Sequence, residues 1–244
     1  MSRLRRSRLP ARLDVTQTLS GVALALFIWG HTLFVSSILI SKDAMWTVTR
    51  MFEGYFILGR PLPVLVSIAV AVVWALLLVH ALLALRKFPA SYRQYRAFRE
   101  HRQAMRHADT HLWWWQVVTG FAMFFLASPH LYKMLTQPAA IGPYASGDDV
   151  WSGAWWPLYL LLAFSVQLHA GIGVYRAALK WGLPGGGDGA RTRRRLRVLF
   201  GGITAVMLAL GLLSLATYLR IGYEHRDRVG ERYVPASVAA PEQP

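Results

Sequence analysis

The chain has 244 residues, of which 55% are hydrophobic and only 16% are charged, and its net charge is +15. A soluble globular domain carries about 25% charged residues, so the composition excludes that class and favours an integral membrane protein. Because the chain has no cysteine, it forms no disulfide and supplies no thiolate ligand to an iron–sulfur cluster.

Five apolar stretches follow one another along the chain. Each is long enough to cross a hydrocarbon core of about 30 Å as a helix that rises about 1.5 Å per residue. They are predicted at 18–41, 61–85, 112–136, 154–178 and 198–221. The first exceeds the apolar region of a signal peptide and is interpreted as a retained helix. The predicted fold is all-α: a transmembrane bundle of five helices over 18–222, between an N-terminal segment 1–17 and a C-terminal tail 223–244.

Basic residues alternate between the connecting segments. The N-terminal segment, the second loop and the fourth loop hold most of the 27 Lys and Arg residues. The positive-inside rule then places the N-terminus in the cytoplasm and the C-terminus outside. Topology and attraction to anionic membrane lipid account for this charge, so no nucleic acid partner is predicted. A docking face for a soluble protein is a compatible second role.

Four histidines lie inside four different apolar stretches: His31, His80, His130 and His169. An ionisable side chain within a bilayer is costly and is therefore a functional candidate. Neutral imidazole is also a common axial ligand of haem iron. Counting along the predicted helices places His31 and His130 toward the outer half of the membrane, and His80 and His169 toward the inner half. Two pairs at two depths predict two haems, each between two imidazoles.

Other interpretations stay open at this point. A membrane histidine often only hydrogen-bonds a neighbouring helix. Zinc is disfavoured because the predicted helices hold no carboxylate or thiolate ligand, and a proton-relay transporter would need buried carboxylates. A membrane anchor without any cofactor is also possible. Four further histidines are predicted to be solvated, no internal repeat is evident, and residues 234–244 are predicted to be extended or disordered. These histidines are His101, His107, His111 and His225.

The four-histidine spacing (31, 80, 130, 169), with the segments SPHLY (128–132) and LHAGIGVYR (168–176), resembles one family. It is similar to the dihaem cytochrome b subunit of succinate:quinone oxidoreductases, in particular the quinol:fumarate reductases of epsilonproteobacterial type, over about 15–222. The resemblance implies an anchor in the bacterial inner membrane for an FAD-containing flavoprotein subunit and an iron–sulfur subunit on the cytoplasmic side. Electrons would pass between a quinone, expected to be menaquinone, and fumarate or succinate, in either direction. A dimeric complex is also an implication of the family.

Two alternatives remain beside this resemblance. One is the cytochrome b subunit of another quinone-linked complex, of nitrate reductase or formate dehydrogenase type, which also uses histidines on several helices. The other is a membrane protein without redox function. A cytochrome b of bc type is disfavoured, because there two helices each carry two histidines about four turns apart, and no such pair lies within one helix here.

The resemblance also implies roles for individual residues. The outer haem would be ligated by His31 and His130, and the inner haem by His80 and His169. Glu53 would contact the quinol and accept its protons, although an ordinary loop glutamate is the alternative. The propionates of the inner haem would be held by Gln17, Thr18, Trp113 and Lys180. Tryptophan and lysine are also common as simple membrane anchors.

One position departs from the family. Some members carry a glutamate two residues before the histidine of the fourth membrane helix, proposed to carry protons across the membrane. Here that position is Gln167, which cannot titrate. The prediction is that quinol oxidation releases protons outside without compensation, or that protons use another path.

Overall fold

A computed structural model describes residues 7–105, 108–183 and 189–239, and these residues contain helices and no strand. The all-α prediction is thus confirmed for the part of the chain that is described. The helices are α1 (Leu9–Val35), α2 (Lys42–Phe52), α3 (Tyr55–Leu58), α4 (Val64–Leu85), α5 (Tyr92–Ala104), α6 (Ala108–Thr136), α7 (Pro143–Trp151), α8 (Trp156–Lys180), α9 (Gly189–Glu224) and α10 (Ala236–Ala239), with one-turn 3-10 helices at Ser36–Leu39 and Arg226–Arg228.

Within the described ranges, four helical stretches are long and apolar enough to cross a membrane: Leu9–Leu39, Val64–Leu85, Trp156–Lys180 and Gly189–Glu224. They correspond to four of the five predicted spans. The remaining predicted span, 112–136, lies in α6, which has 29 residues and is therefore long enough to span. Polar residues within it, among them Gln116 and His130, lower its mean hydropathy.

Two membrane helices extend beyond their apolar stretches. Helix α1 begins at Leu9 and α9 at Gly189, so both start within basic segments that were predicted to precede them. Arginine is a good helix former, and a helix satisfies its own backbone hydrogen bonds on either side of the membrane boundary. The apolar stretch therefore marks the part suited to the bilayer rather than the length of the helix.

The four helices that carry the predicted ligands form a closed ring. Helix α1 packs against α4 and α8, and α6 packs against the same two helices. Helix α9 lies outside this ring against α8 and α1. The contact between α8 and α9 depends on Gly171, because a Cβ there would overlap the Thr204 hydroxyl. The ring thus turns one face of each of its helices toward a common interior.

The two ends of the bundle differ in chemistry. We call the end formed by the starts of α1, α6 and α9 and the ends of α4 and α8 the basic end. There Asp14 pairs with Arg86 at 2.6 Å and with Lys180 at 3.3 Å. Asp109 of α6 pairs with Arg193 and Arg197 of α9 at 3.2 and 3.1 Å. Asp14 thus joins α1 to the ends of α4 and α8, and Asp109 joins α6 to α9.

We call the other end the capped end, because α2, α3, α7 and the segment 225–239 cover it. Helix α2 lies in a segment predicted as a loop. It starts at Ser41, whose hydroxyl accepts a hydrogen bond from the Ala44 amide at 2.9 Å, as an N-cap serine does. Helix α7 packs closely on α9, and at this contact a Cβ added to Gly222 would lie 2.1 Å from the Gly147 carbonyl oxygen.

Two predictions about the C-terminal segment, that His225 is solvated and that the tail is extended or disordered, were wrong at the positions described below. His225 is not solvated: it is 1% exposed, because its ring stacks on Tyr144 at 4.1 Å and its Nδ1 lies 2.8 Å from the Asp148 carboxylate. The tail is not wholly extended, since 236–239 are helical, while 240–244 lie outside the described residues. His111 is exposed as predicted. His107 and the side chain of His101 lie outside what the structure describes.

Candidate functional site

His80 on α4 and His169 on α8 face each other across the interior of the ring. Their ring centres are 6.4 Å apart and the two planes are nearly perpendicular, at 87°. His80 Nδ1 lies 3.1 Å from the Gln17 carbonyl oxygen and 3.2 Å from the Ser20 hydroxyl on α1. A ring N–H that donates to a backbone carbonyl fixes the tautomer and leaves Nε2 as the free basic atom, as in many metal-bound histidines.

His169 is held in the same way from a different helix. Its Nδ1 lies 2.9 Å from the Gln116 carbonyl oxygen and 3.5 Å from the Thr119 hydroxyl on α6. Both members of this pair are therefore oriented by polar groups of a neighbouring helix, one by α1 and one by α6.

His31 on α1 and His130 on α6 form the second pair, with ring centres 6.2 Å apart and planes at 54°. Phe27 stacks on His31 at 5.8 Å, and Tyr159 meets His130 edge-on at 5.6 Å. His130 Nδ1 is buried and has no hydrogen-bond partner among the described residues. The structure thus brings together the two pairs that depth along the helices predicted.

The composition of the two sites restricts what they can bind. Across the described residues, no group of three or more His, Cys, Asp or Glu side chains is placed to hold a metal ion. Structural zinc takes four protein ligands and catalytic zinc three. Two imidazoles suit a metal that already has its other ligands in a macrocycle.

Glu53 lies at the capped end, directly after α2. It is 1% exposed and forms an ion pair with Arg50. Burial raises the pKa of the Glu53 carboxyl, while the positive charges of Arg50 and Arg232 oppose that rise. The preceding residue, Phe52, packs edge-to-face on Phe34 of α1, with ring centres 4.8 Å apart. Phe34 lies three residues after His31 on the same helix. A buried carboxylate with a guanidinium partner is therefore connected by packed aromatic rings to the helix that carries His31.

The four residues predicted to hold propionates lie at the basic end, but not all on the same side. Gln17 has a buried Oε1 without a partner among the described residues. Lys180 Nζ is 3.3 Å from Asp14, and Trp113 packs on Trp114. Thr18 instead lines an apolar groove between α1, α8 and α9, and its hydroxyl donates to the Asp14 carbonyl at 2.9 Å.

The residues that pack against the His80–His169 pair were not predicted from the sequence. Besides the polar groups, Gly21 and Gly120 lie against the two imidazoles, where an added Cβ would come within 2.6 Å of His80 Cε1 and 3.0 Å of His169 Cε1. A signal was available: residues 17–21 are QTLSG and residues 116–120 are QVVTG. This five-residue similarity is compatible with the prediction that the chain has no longer internal repeat.

The C-terminal network at the capped end was also missed. The Gly230 amide donates to Asp148 at 3.0 Å, and the Tyr233 hydroxyl donates to Asp43, which raises the pKa of Tyr233 to about 12. With the buried His225 these contacts fix the segment after α9 onto α7 and α2. Since Glu53 directly follows α2, the network also supports the position of that carboxylate.

Known proteins are similar in sequence to this chain over most of its length. A family profile described as succinate dehydrogenase/fumarate reductase transmembrane subunit matches residues 92–210. The chain is 48% identical over 223 residues to the fumarate reductase cytochrome b subunit of Wolinella succinogenes, covering 91% of this chain and 87% of that protein. It is 44% identical over 224 residues to the fumarate reductase cytochrome b subunit of Helicobacter pylori strain J99, covering 92% and 86%.

Proposed function

The chain belongs to the fumarate reductase cytochrome b subunits, and from this premise we propose that it carries electrons between a membrane quinone and soluble subunits that interconvert fumarate and succinate. It is a multi-pass protein of the bacterial inner membrane, in keeping with its apolar helices. The fumarate chemistry itself belongs to another subunit of the complex, so the role of this chain is to anchor the complex and conduct electrons.

The observation that carries the proposal is the geometry of the two histidine pairs. Two imidazoles on opposite sides of one metal ion, with bonds of about 2 Å, have ring centres roughly 6 Å apart. The pairs His31–His130 and His80–His169 have ring centres 6.2 and 6.4 Å apart. The relatives are named cytochrome b subunits, which supports b-type haem as the group bound by these pairs.

When bound, a haem with two imidazole ligands has no open iron position and supplies one-electron transfer rather than oxygen chemistry. The chain holds the four imidazoles at two levels and fixes the Nδ1 proton of His80 and His169. Carbonyl acceptors on Nδ1–H raise the basicity of the ligating Nε2.

Glu53 is proposed to take up the protons that a quinol, expected to be menaquinol, releases on oxidation near the capped end. Its burial and its ion pair with Arg50 support this role. A carboxylate whose pKa is raised by burial is a stronger base once it has lost its proton. Arg50 holds the carboxylate in place between proton transfers.

The proposed topology has five spans, including α6, with the basic end in the cytoplasm. That end would face the flavoprotein and iron–sulfur subunits and the anionic lipid headgroups. At this level, Gln17, Thr18, Trp113 and Lys180 are proposed to bind the propionates of the haem on His80 and His169. The cationic Lys180 supports this most directly, because an ammonium group pairs with a carboxylate.

Spectroscopy on the whole complex in membranes tests the proposal. Adding a quinol should reduce b-type haem, seen as a reduced-minus-oxidised absorption band, and adding fumarate should reoxidise it. Replacing the exposed His111 with alanine is the matched control and should leave both responses unchanged. A complex without b-type absorption, or one whose haem ignores both quinol and fumarate, would refute the proposed function.

A further inference from the structure

We propose that residues 17–21 of α1 and 116–120 of α6 are two copies of one positioning device, which we call the α1 clamp and the α6 clamp. The α1 clamp fixes the ring of His80, and the α6 clamp fixes the ring of His169. The inference rests on the proposed function, because it assigns both clamps to the ligands of one haem. Neither clamp touches the ligands of the other haem in the contacts described.

The sequence supports the repeat independently of the contacts. Both clamps read Gln-x-x-Ser/Thr-Gly, and each is followed by a histidine at the same distance, from Gln17 to His31 and from Gln116 to His130. That distance, about four helical turns or roughly 21 Å, returns the histidine to the same helix face. Helices α1 and α6 therefore each present a clamp at one level of the bundle and a ligand at the other.

In the α1 clamp, two acceptors share the ring proton of His80. Its Nδ1 lies 3.1 Å from the Gln17 carbonyl oxygen and 3.2 Å from Ser20 Oγ. The Ser20 hydroxyl donates its own proton to the same carbonyl at 3.1 Å. Because that proton is used, the oxygen lone pairs face Nδ1–H as acceptors. Two acceptors on one N–H hold both the tautomer and the rotation of the ring.

The α6 clamp offers His169 the same two kinds of acceptor, a carbonyl and a hydroxyl, but their distances from Nδ1 differ more. His169 Nδ1 lies 2.9 Å from the Gln116 carbonyl oxygen but 3.5 Å from Thr119 Oγ1. The Thr119 hydroxyl donates mainly to the Trp115 carbonyl, at 2.7 Å, and lies 3.2 Å from the Gln116 carbonyl. Here the Gln116 carbonyl is the main acceptor, since a contact of 3.5 Å is at the limit of a hydrogen bond. The hydroxyl therefore matters more in the α1 clamp.

The last residue of each clamp is a glycine, and its role is to leave room for the imidazole ring rather than to make the backbone flexible. A Cβ at Gly21 would lie 2.6 Å from His80 Cε1, closer than any stable contact. A Cβ at Gly120 would lie 3.0 Å from His169 Cε1, which the ring could relieve by a small shift. A methyl group in either place pushes the imidazole away from its acceptors, and more so in the α1 clamp. The close approach of backbone and ring is what requires glycine.

The experiment compares glycine variants in the complete complex with its partner subunits. The variants are Gly21→Ala and Gly120→Ala, and the control is Gly202→Ala, where an added Cβ meets nothing within 4 Å. Haem per chain and the electron paramagnetic resonance signals of the oxidised haems are measured, with His80→Ala identifying the signal of the haem on the clamped pair.

Gly21→Ala should lose or shift the signal that His80→Ala removes, and leave the other haem signal in place. Gly120→Ala should change the same signal by a smaller amount, and Gly202→Ala should change neither. The proposal would be refuted if Gly21→Ala left both haem signals unchanged. It would also be refuted if the change were confined to the haem on His31 and His130. An unaltered complex that contains no haem would instead refute the proposed function.

If the Gly21→Ala chain does not accumulate, Ser20→Ala decides, because it removes one atom and adds none. Loss of an acceptor from His80 Nδ1–H makes the imidazole a weaker donor to the iron, so the midpoint potential of that haem should rise. Thr119→Val should raise the same potential by less. Equal potentials in Ser20→Ala and the unaltered complex would contradict the inference.

Discussion

Gln167 on α8 donates its side-chain N–H to the Thr32 hydroxyl on α1 at 2.8 Å, and both side chains are buried. The Thr32 hydroxyl donates in turn to the Ile28 carbonyl at 2.8 Å. The Gln167 Oε1 is buried with no partner in the described part of the chain. The contact joins two helices of the ring, and neither side chain can give up or take up a proton near neutral pH.

The first prediction concerns charge movement. If no proton crosses the membrane through Gln167, quinol oxidation by fumarate in proteoliposomes should release protons on the capped side and build a membrane potential. The potential is read with a voltage-sensitive dye. Gln167→Glu, which offers a titratable group at the same place, should lower it. An electroneutral reaction in the unaltered complex would contradict uncompensated proton release.

The second prediction concerns Glu53. Glu53→Gln keeps the shape of the side chain but cannot take up a proton, so quinol-dependent fumarate reduction should fall to background while both haems remain. Unchanged turnover would remove Glu53 from the quinol site. Reduction of fumarate by an artificial donor to the soluble subunits serves as the control for an intact complex.

The third prediction is a pH dependence at the same residue. Burial raises the pKa of Glu53, so the accepting carboxylate forms, and turnover rises, as the pH increases through that raised pKa. Arg50→Gln removes a charge that opposes the rise, so the pKa increases further and the rising limb of the pH–rate profile moves to higher pH. Arg60→Gln, at an exposed position, should leave the profile in place. A shift to lower pH in Arg50→Gln would contradict this assignment.

The fourth prediction tests the buried pair at the capped end. His225→Ala leaves Asp148 without one partner, and losing a partner of a buried polar group costs about 1–3 kcal/mol. Amide hydrogen exchange in α7 and in 226–235 should therefore accelerate, while the haem content stays the same. Glu231→Gln, at a side chain 57% exposed and 4.0 Å from His225 Nε2, is the control and should change little. Equal exchange in His225→Ala and the unaltered protein would show that the pair does not hold the segment.

The positions of the ligand candidates were predictable from sequence because helices have a fixed rise. Each of the four histidines lies in an apolar stretch whose orientation follows from the charges of the flanking loops. The fixed rise per residue then gives the depth of the histidine in the membrane. These residues are His31, His80, His130 and His169. The pairing then follows, since His80 and His169 share one level and His31 and His130 the other. The first residues of α1 and α9 were not predictable from hydropathy, because each helix begins in arginine-rich sequence before the apolar stretch.

Burial at the capped end could not be predicted from local sequence. His225 is followed by Arg226, Asp227 and Arg228, a pattern typical of solvent-exposed loops. Its burial depends on Asp148 and Tyr144, which only the packing of α7 against α9 brings to it. The QTLSG and QVVTG segments are a different case, since the repeat is visible in the sequence but its meaning depends on which helices are neighbours.

The most direct test of the account is a count of haem per chain in the purified complex, for the unaltered chain and for His80→Ala. The account predicts close to two b-type haems per chain in the unaltered complex and loss of the haem held by His80 and His169 in the variant, with the other haem retained. A purified complex with no haem, or a His80→Ala variant that keeps both haems, would contradict it.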